Sequence, residues 1–136
     1  MDCLFAYGTL MCPDIMQEVT GHDVEPVPAV LHNHQRLSII GEDYPGIIHQ
    51  HGSHVDGLLY SGINEPAWRR LDRFEGEQYQ RTAVTVLLED GTQTAAKTYV
   101  IHPSFRSILS DKEWDFAAFQ AHGKARFRRL YGGYQD

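Results

Sequence analysis

The sequence predicts an α+β domain built on a mostly antiparallel sheet or barrel. Three observations lead there. Strand-like segments recur, most clearly 79–88 and 92–101, which flank Glu89-Asp90-Gly91, a turn with Gly where positive φ is wanted. Two or three capped segments with helical apolar spacing interrupt the strands. The chain has 136 residues, 42% of them hydrophobic, enough for one domain, 1–136, with a real core.

From the start of the chain, Leu4, Phe5 and Ala6 read as a short buried strand with Tyr7 at its end. Gly8 breaks it, and Thr9 has a hydroxyl for local hydrogen bonds. A strand that stops in such a turn leaves N–H groups unpaired and pointing one way, a concavity suited to an anion or a polarised carbonyl. Pro13 and Asp14 open a short helix to about Val19, and Gly21 is placed to stop it. Pro26 and Pro28 suggest an edge strand, followed by a strand over 36–40. The segment 41–46 reads as a loop, after which Ile47 and Ile48 return to the core. His49, His51 and His54 invite a metal reading, but no Cys or carboxylate completes a ligand set. A polar hairpin turn between two strands explains them with fewer assumptions. The next strand spans 54–61, with Gly57 marking a bulge or a close backbone approach.

Asn64, Glu65 and Pro66 form a helix start, with a capping side chain, an acid at the positive end and Pro in the first turn. The helix runs to about Glu75, and Gly76 ends it. Trp68, Leu71 and Glu75 fall on one stripe, away from Arg69, Arg70 and Arg73. Beyond the hairpin, Ser110-Asp111-Lys112-Glu113 has the form of a capping box. It predicts a helix to about Leu130 with Phe116, Phe119, Gly123, Phe127 and Leu130 as its packing face. Lys124, Arg126, Arg128 and Arg129 crowd its negative end.

Composition narrows the function. A net charge of −6 argues against a nucleic-acid footprint or an anionic membrane surface as partner. No apolar run has membrane-spanning length, and no basic stretch followed by an apolar region opens the chain. A reduced, cytoplasmic protein is the expectation. The two Cys lack zinc-finger spacing, so Cys3 is expected in the core and Cys12 as a loop thiol.

One constellation can do chemistry. Glu75 is placed on the inward face of a helix near its negative end, and both burial and the dipole raise a carboxyl pKa. A carboxylate tuned towards neutrality is a competent proton shuttle. The Tyr7–Leu10 turn supplies backbone donors. A base facing such a nest suffices for acyl chemistry in which the substrate brings its own nucleophile, and no Ser-His-Asp or Cys-His pairing stands at meaningful spacing. Against this stands a plain solvated Glu at a helix end. Asp72 and Glu77 are alternative acids, the first a candidate for structural hydrogen bonds and the second in the loop beyond Gly76.

Tyr7-Gly8-Thr9-Leu10, Tyr44-Pro45-Gly46, and Leu71 through Gly76 followed by Tyr79 and Arg81 resemble, in order and spacing, the gamma-glutamylcyclotransferase-like superfamily. The branch is that of gamma-glutamylamine cyclotransferase and the plant avirulence-induced proteins, and the resemblance spans residues 4–101. The short Glu77-Gln78 link before Tyr79 is closer to the plant type. The resemblance implies a small mixed, mostly antiparallel β-barrel flanked by helices. It implies an intramolecular reaction: the α-amine of a small γ-glutamyl substrate attacks the γ-carbonyl and releases 5-oxoproline and an amine or amino acid. It implies no metal and no organic cofactor. The family's catalytic glutamate matches Glu75, and its substrate loop matches Tyr7, Gly8, Thr9 and Leu10. Tyr44 falls to the pocket wall. Tyr79 and Tyr99, on neighbouring strands, fit either the pocket or packed positions with satisfied hydroxyls. A non-catalytic module of the same fold that binds a small carboxylate is the alternative.

Overall fold

The computed structural model describes residues 2–21 and 23–131. Its elements are β1 (Asp2–Ala6), α1 (Pro13–Thr20), β2 (Val27–Ile39), β3 (Pro45–Ile63), α2 (Glu65–Glu75), β4 (Tyr79–Leu88), β5 (Gln93–Ile101) and β6 (Leu109–Glu113). A C-terminal helix follows, made of α3 (Phe116–Ala118), a π-helical turn (Phe119–Gly123) and α4 (Lys124–Tyr131).

Five strands close a mixed barrel in the order β3-β1-β5-β4-β2, completed by β2 pairing back on β3. Only the β1–β5 contact is parallel, through Leu4 and Lys97; the other pairings are antiparallel. β6 adds to the free part of β2 outside the ring. The β4–β5 hairpin is the expected one, in register from Tyr79↔Ile101 to Leu87↔Gln93.

The pleat of β1 separates two cores. Phe5 and Tyr7 enter the barrel interior with Leu31, Ile47, Val55, Leu59 and Val86. Leu4 and Ala6 face the other way, into the layer between barrel and helices with Ile15, Met16, Trp68, Leu71, Phe119 and Phe127. Alternate residues of one short apolar run therefore serve two different cores. Gly57 lies where β3 crosses β1: a Cβ there would stand 2.4 Å from the Ala6 carbonyl oxygen and 2.7 Å from the Phe5 ring. The expected close approach is thus real, and the absence of a side chain permits it.

α1 and α2 end as their sequences dictate. Gly21 adopts φ 77° and its N–H donates to the Gln17 carbonyl at 2.8 Å. The Asn64 side-chain oxygen accepts from the Ala67 N–H at 3.0 Å.

Several expectations are corrected. The residues read as an edge strand and a separate strand over 36–40 form one continuous β2, and Ile40 lies past its end, exposed. Its hydrogen bonds continue because β2 is paired with β3 along its length, which local sequence does not reveal. The His49–His54 stretch is not a hairpin turn but an outward bulge within β3. The register moves from His32↔His54 to His34↔His49, with four residues of β3 facing only Asn33 of β2. Asn33 takes φ 61° and its side chain accepts from the Gly52 N–H at 3.2 Å.

The box at 110–113 does not cap a helix; it is β6, captured by the open edge of β2. The cap belongs to Asp115, which accepts from the Ala117 and Ala118 N–H groups at 2.9 and 3.3 Å. Of the expected packing face, Phe119, Gly123 and Phe127 are buried and Phe116 partly so, but Leu130 is 68% exposed. A π-helical turn over Phe119–Gly123 interrupts the helix, and Leu130 lies beyond Phe127, the last buried residue of the stripe.

Three of the four basic side chains of α4 are tied to other elements rather than held for the dipole. Lys124 binds Asp14 at 2.8 Å, Arg126 chelates Asp43, and Arg128 bridges Asp14 and Glu18. The cysteines are reversed relative to expectation: Cys12 is buried at the α1 cap and Cys3 is only half-buried. The 3₁₀ turn that follows β1 folds Cys12 back under α1, whereas Cys3 lies near the outer end of its strand.

Candidate active site

The pocket opens where β1 ends. Ala6 is the last residue of the strand, and Thr9–Met11 wind into a single 3₁₀ turn in which the Met11 N–H donates to the Gly8 carbonyl at 3.0 Å. The amides of Gly8, Thr9 and Leu10 precede the first bond of that turn, and none has an acceptor among the described residues. Gly8 is required for space. A Cβ would stand 2.9 Å from two ring carbons of Pro45. The turn is fixed from behind by the Tyr60 hydroxyl, which donates to the Leu10 carbonyl at 2.8 Å, and by Arg36, which donates to the Tyr7 carbonyl at 2.8 Å.

A cavity of about 130 Å³ lies against this turn. Every residue expected at the site borders it: Tyr7, Gly8, Thr9, Leu10, Tyr44, Glu75, Tyr79 and Tyr99. They arrive from four directions, the β1 turn, the start of β3, the last residue of α2, and the β4–β5 hairpin.

Among the described residues, Glu75 is the only charged side chain on the wall. α2 places it there because Leu71, one turn earlier, is fully buried. Burial pushes its carboxyl up to about 8, and the neighbouring Asp72 carboxylate adds to the rise. Among the described residues its carboxylate takes no hydrogen bond, so its oxygens remain available to a ligand.

The tyrosines divide into structural and exposed functions within the same residues. The Tyr7 hydroxyl donates to the Tyr99 carbonyl at 2.5 Å, Tyr79 to the Pro45 carbonyl at 2.6 Å, and Tyr99 to the Asp72 carboxylate at 2.7 Å. Burial holds all three phenols well above their ordinary pKa, with the Glu75 charge adding to each. They are neutral walls. The two possible places for Tyr79 and Tyr99 are both occupied: each is packed, satisfied and at the pocket edge. Asp72 makes the structural bonds foreseen for it, to Tyr99 and to Arg81 at 3.5 Å.

Phe74 and Phe127 also line the cavity and were not anticipated. Phe127 stands edge-on to Tyr44 and Phe74, with ring centroids 6.3 and 6.1 Å apart. Its position in an apolar helical stripe reads as packing, and the same ring does both. Arg36 was also passed over. A lone cation in a strand gives no signal until the fold brings it to Tyr7, 29 positions away. Of the His-rich segment, nothing approaches the cavity, and no metal-binding group of His, Cys, Asp or Glu occurs among the described residues.

A five-stranded mixed barrel with one added strand, together with a helix-end carboxyl and a strand-end turn bordering one cavity, defines a protein of the gamma-glutamyl cyclotransferase-like fold. The chain belongs to the gamma-glutamyl cyclotransferase, AIG2-like family, whose model matches residues 4–116. AIG2-like protein C of Arabidopsis thaliana is 32% identical over 125 residues, covering 91% of this chain and 72% of the relative. The solution structure of another Arabidopsis thaliana protein superposes with a TM-score of 0.74 at 25% identity, over 97% of this chain and 80% of that one. A structure named gamma-glutamyl cyclotransferase shares the fold at a TM-score of 0.65 and 18% identity, over 74% and 66% of the two chains.

Proposed function

We propose that the protein is a γ-glutamyl cyclotransferase that acts on a small γ-glutamyl compound without a cofactor. The observation that carries the reading is the pairing, in one cavity, of a Glu75 carboxyl raised to about 8 with the amides of Gly8, Thr9 and Leu10, none of them hydrogen-bonded among the described residues. The substrate's α-carboxylate docks on those amides. Its α-ammonium faces Glu75, which takes one proton and frees the amine lone pair. The amine attacks the γ-carbonyl carbon, closing a five-membered ring. The bond to the leaving nitrogen then breaks as Glu75 returns that proton to it, and the second proton shed by the ring nitrogen passes to the departing amine, which leaves as an ammonium. The products are 5-oxoproline and an amine or amino acid.

The magnitudes are sufficient. General-base help contributes about 10²–10⁴-fold. Holding an intramolecular nucleophile in line contributes several kcal/mol more, with roughly 7–11 as the upper range. Tyr7, Tyr44, Tyr79 and Tyr99 exclude water and keep the site of low polarity, which preserves the raised pKa of the base.

The test is 5-oxoproline release from a panel of γ-glutamyl amines and γ-glutamyl amino acids by wild type and Glu75→Gln. Release by wild type, lost by a factor of about 10² or more in the variant, is the expected outcome. Turnover retained by Glu75→Gln overturns the role of the base. Saturable binding of 5-oxoproline without release from any member of the panel favours the non-catalytic carboxylate-binding module instead.

A further inference from the structure

Arg36 lies outside the cavity, yet it touches the peptide group that presents the first of the unpaired amides. It comes from β2, opposite Ile47 of β3, and is half-buried. Its Nη1 donates to the Tyr7 carbonyl at 2.8 Å and lies 3.4 Å from the Asp56 carbonyl. The Trp114 ring covers the guanidinium at 5.3 Å, and the Trp114 indole N–H is itself fixed on the Asp43 carbonyl at 2.9 Å. Asp56, Glu113 and Asp115 supply the surrounding negative charge. Arg36, Asp56, Glu113 and Trp114 border a second hollow that shares no lining residue with the cavity.

The Tyr7 carbonyl and the Gly8 N–H belong to one planar peptide group. No cis peptide occurs in the described chain, so the two point in opposite directions. With the carbonyl turned to Arg36, the N–H is turned away from it, and Gly8 borders the cavity. A cation donating to the oxygen draws electron density through the conjugated group. The N–H becomes a stronger donor and the peptide plane cannot rotate.

We infer that Arg36 is a positioning residue that orients and polarises the Tyr7–Gly8 peptide, so that the Gly8 amide grips the carboxylate of the ligand. The role rests on the proposed γ-glutamyl reading only for the identity of that carboxylate; the polarisation itself stands apart from it. Arginine suits the position because its charge persists under partial burial and its planar face stacks on Trp114. A methionine of similar length would fill the space and leave the carbonyl unpaired.

Two measurements decide it on the full chain. The first is the amide ¹⁵N and ¹H shift of Gly8 in wild type, Arg36→Met and Arg36→Lys. The nitrogen of a peptide group responds to hydrogen bonding at its own carbonyl. An upfield move in Arg36→Met, largely restored in Arg36→Lys, with the resonances of the β4–β5 hairpin unchanged, is expected. A Gly8 resonance indifferent to Arg36→Met overturns the inference. The second is kinetic. The KM for a γ-glutamyl substrate and the inhibition constant of 5-oxoproline should both rise by roughly two- to tenfold in Arg36→Met, the scale of one weakened hydrogen bond, while kcat changes less. Equal KM and inhibition constants in the two proteins overturn it, as does a loss confined to kcat. If wild type neither turns over nor binds 5-oxoproline, the γ-glutamyl reading fails, and the Gly8 shift still decides the role of Arg36.

Discussion

In the proposed reaction, the surroundings of Glu75 set it for proton transfer. Its folded pKa of about 8 lies above the ordinary 4.5, so the folded state binds a proton that the unfolded chain releases. The stabilising state is therefore the protonated one. That contribution is full below about pH 4.5 and is lost as pH rises through 8. Glu75→Gln, neutral throughout, should match wild type in melting temperature at pH 4 and exceed it at pH 9; equal curves at both pH values would contradict a raised pKa. The proposed catalysis runs the other way, because the base must be ionised. kcat/KM should climb by up to about tenfold per pH unit to a bend near pH 8, measured with a substrate whose amine titrates well above that range. Stability and activity thus oppose each other in one carboxyl group, a common arrangement where function requires an uncompensated buried acid.

At the scale of elements, the site depends on close contacts between strands. Gly57→Ala places a Cβ against the Ala6 carbonyl, a backbone atom that cannot swing away. The expected cost is about 1–3 kcal/mol in denaturant unfolding, with turnover falling further than stability because Ala6 leads directly into the Tyr7–Leu10 turn. The C-terminal helix is held differently. Lys124 and Arg128 converge on Asp14, whose side chain is nearly half exposed. Such pairs are screened and weak. Asp14→Asn should cost no more than roughly 1 kcal/mol, less at high salt, and a larger loss would mean that the ion pairs rather than Phe119 and Phe127 anchor the helix.

For the molecule as a whole, the decisive contact is the parallel seam between β1 and β5, since every other neighbour in the ring is antiparallel. Thr98 marks it. Its hydroxyl is fully buried and donates to the Phe5 carbonyl at 2.8 Å, joining residues 93 positions apart. Thr98→Val keeps the shape and removes the donor, so unfolding free energy should fall by roughly 1–2 kcal/mol. Because the β1 end and Tyr99 both flank that seam, loosening it should also weaken ligand binding. Preserved affinity at reduced stability would show that the pocket is held by the helices alone.

Local features with a local cause were legible without coordinates. Asn64 and Gly21 bound helices because their own side chains or backbone freedom satisfy helix ends. The Glu89-Asp90-Gly91 turn folds back on itself because its neighbours alternate. Glu75 and the Tyr7–Leu10 turn were recognisable from helical phase, strand breakage and motif order, and they meet in one cavity. The tertiary structure decided whatever depends on a distant partner. A continuous β2, the capture of 109–113 as a strand, the bulge at His49–His54 and the burial of Cys12 all follow from pairing or packing across the chain. Arg36 and Phe127 belong to the same class, since a side chain's neighbours in space are set by barrel closure and helix docking. The physical division is one of range: caps, turns and periodicity are satisfied within a few residues, whereas a strand edge, a cation or an aromatic ring takes its role from whichever distant surface the fold brings to it.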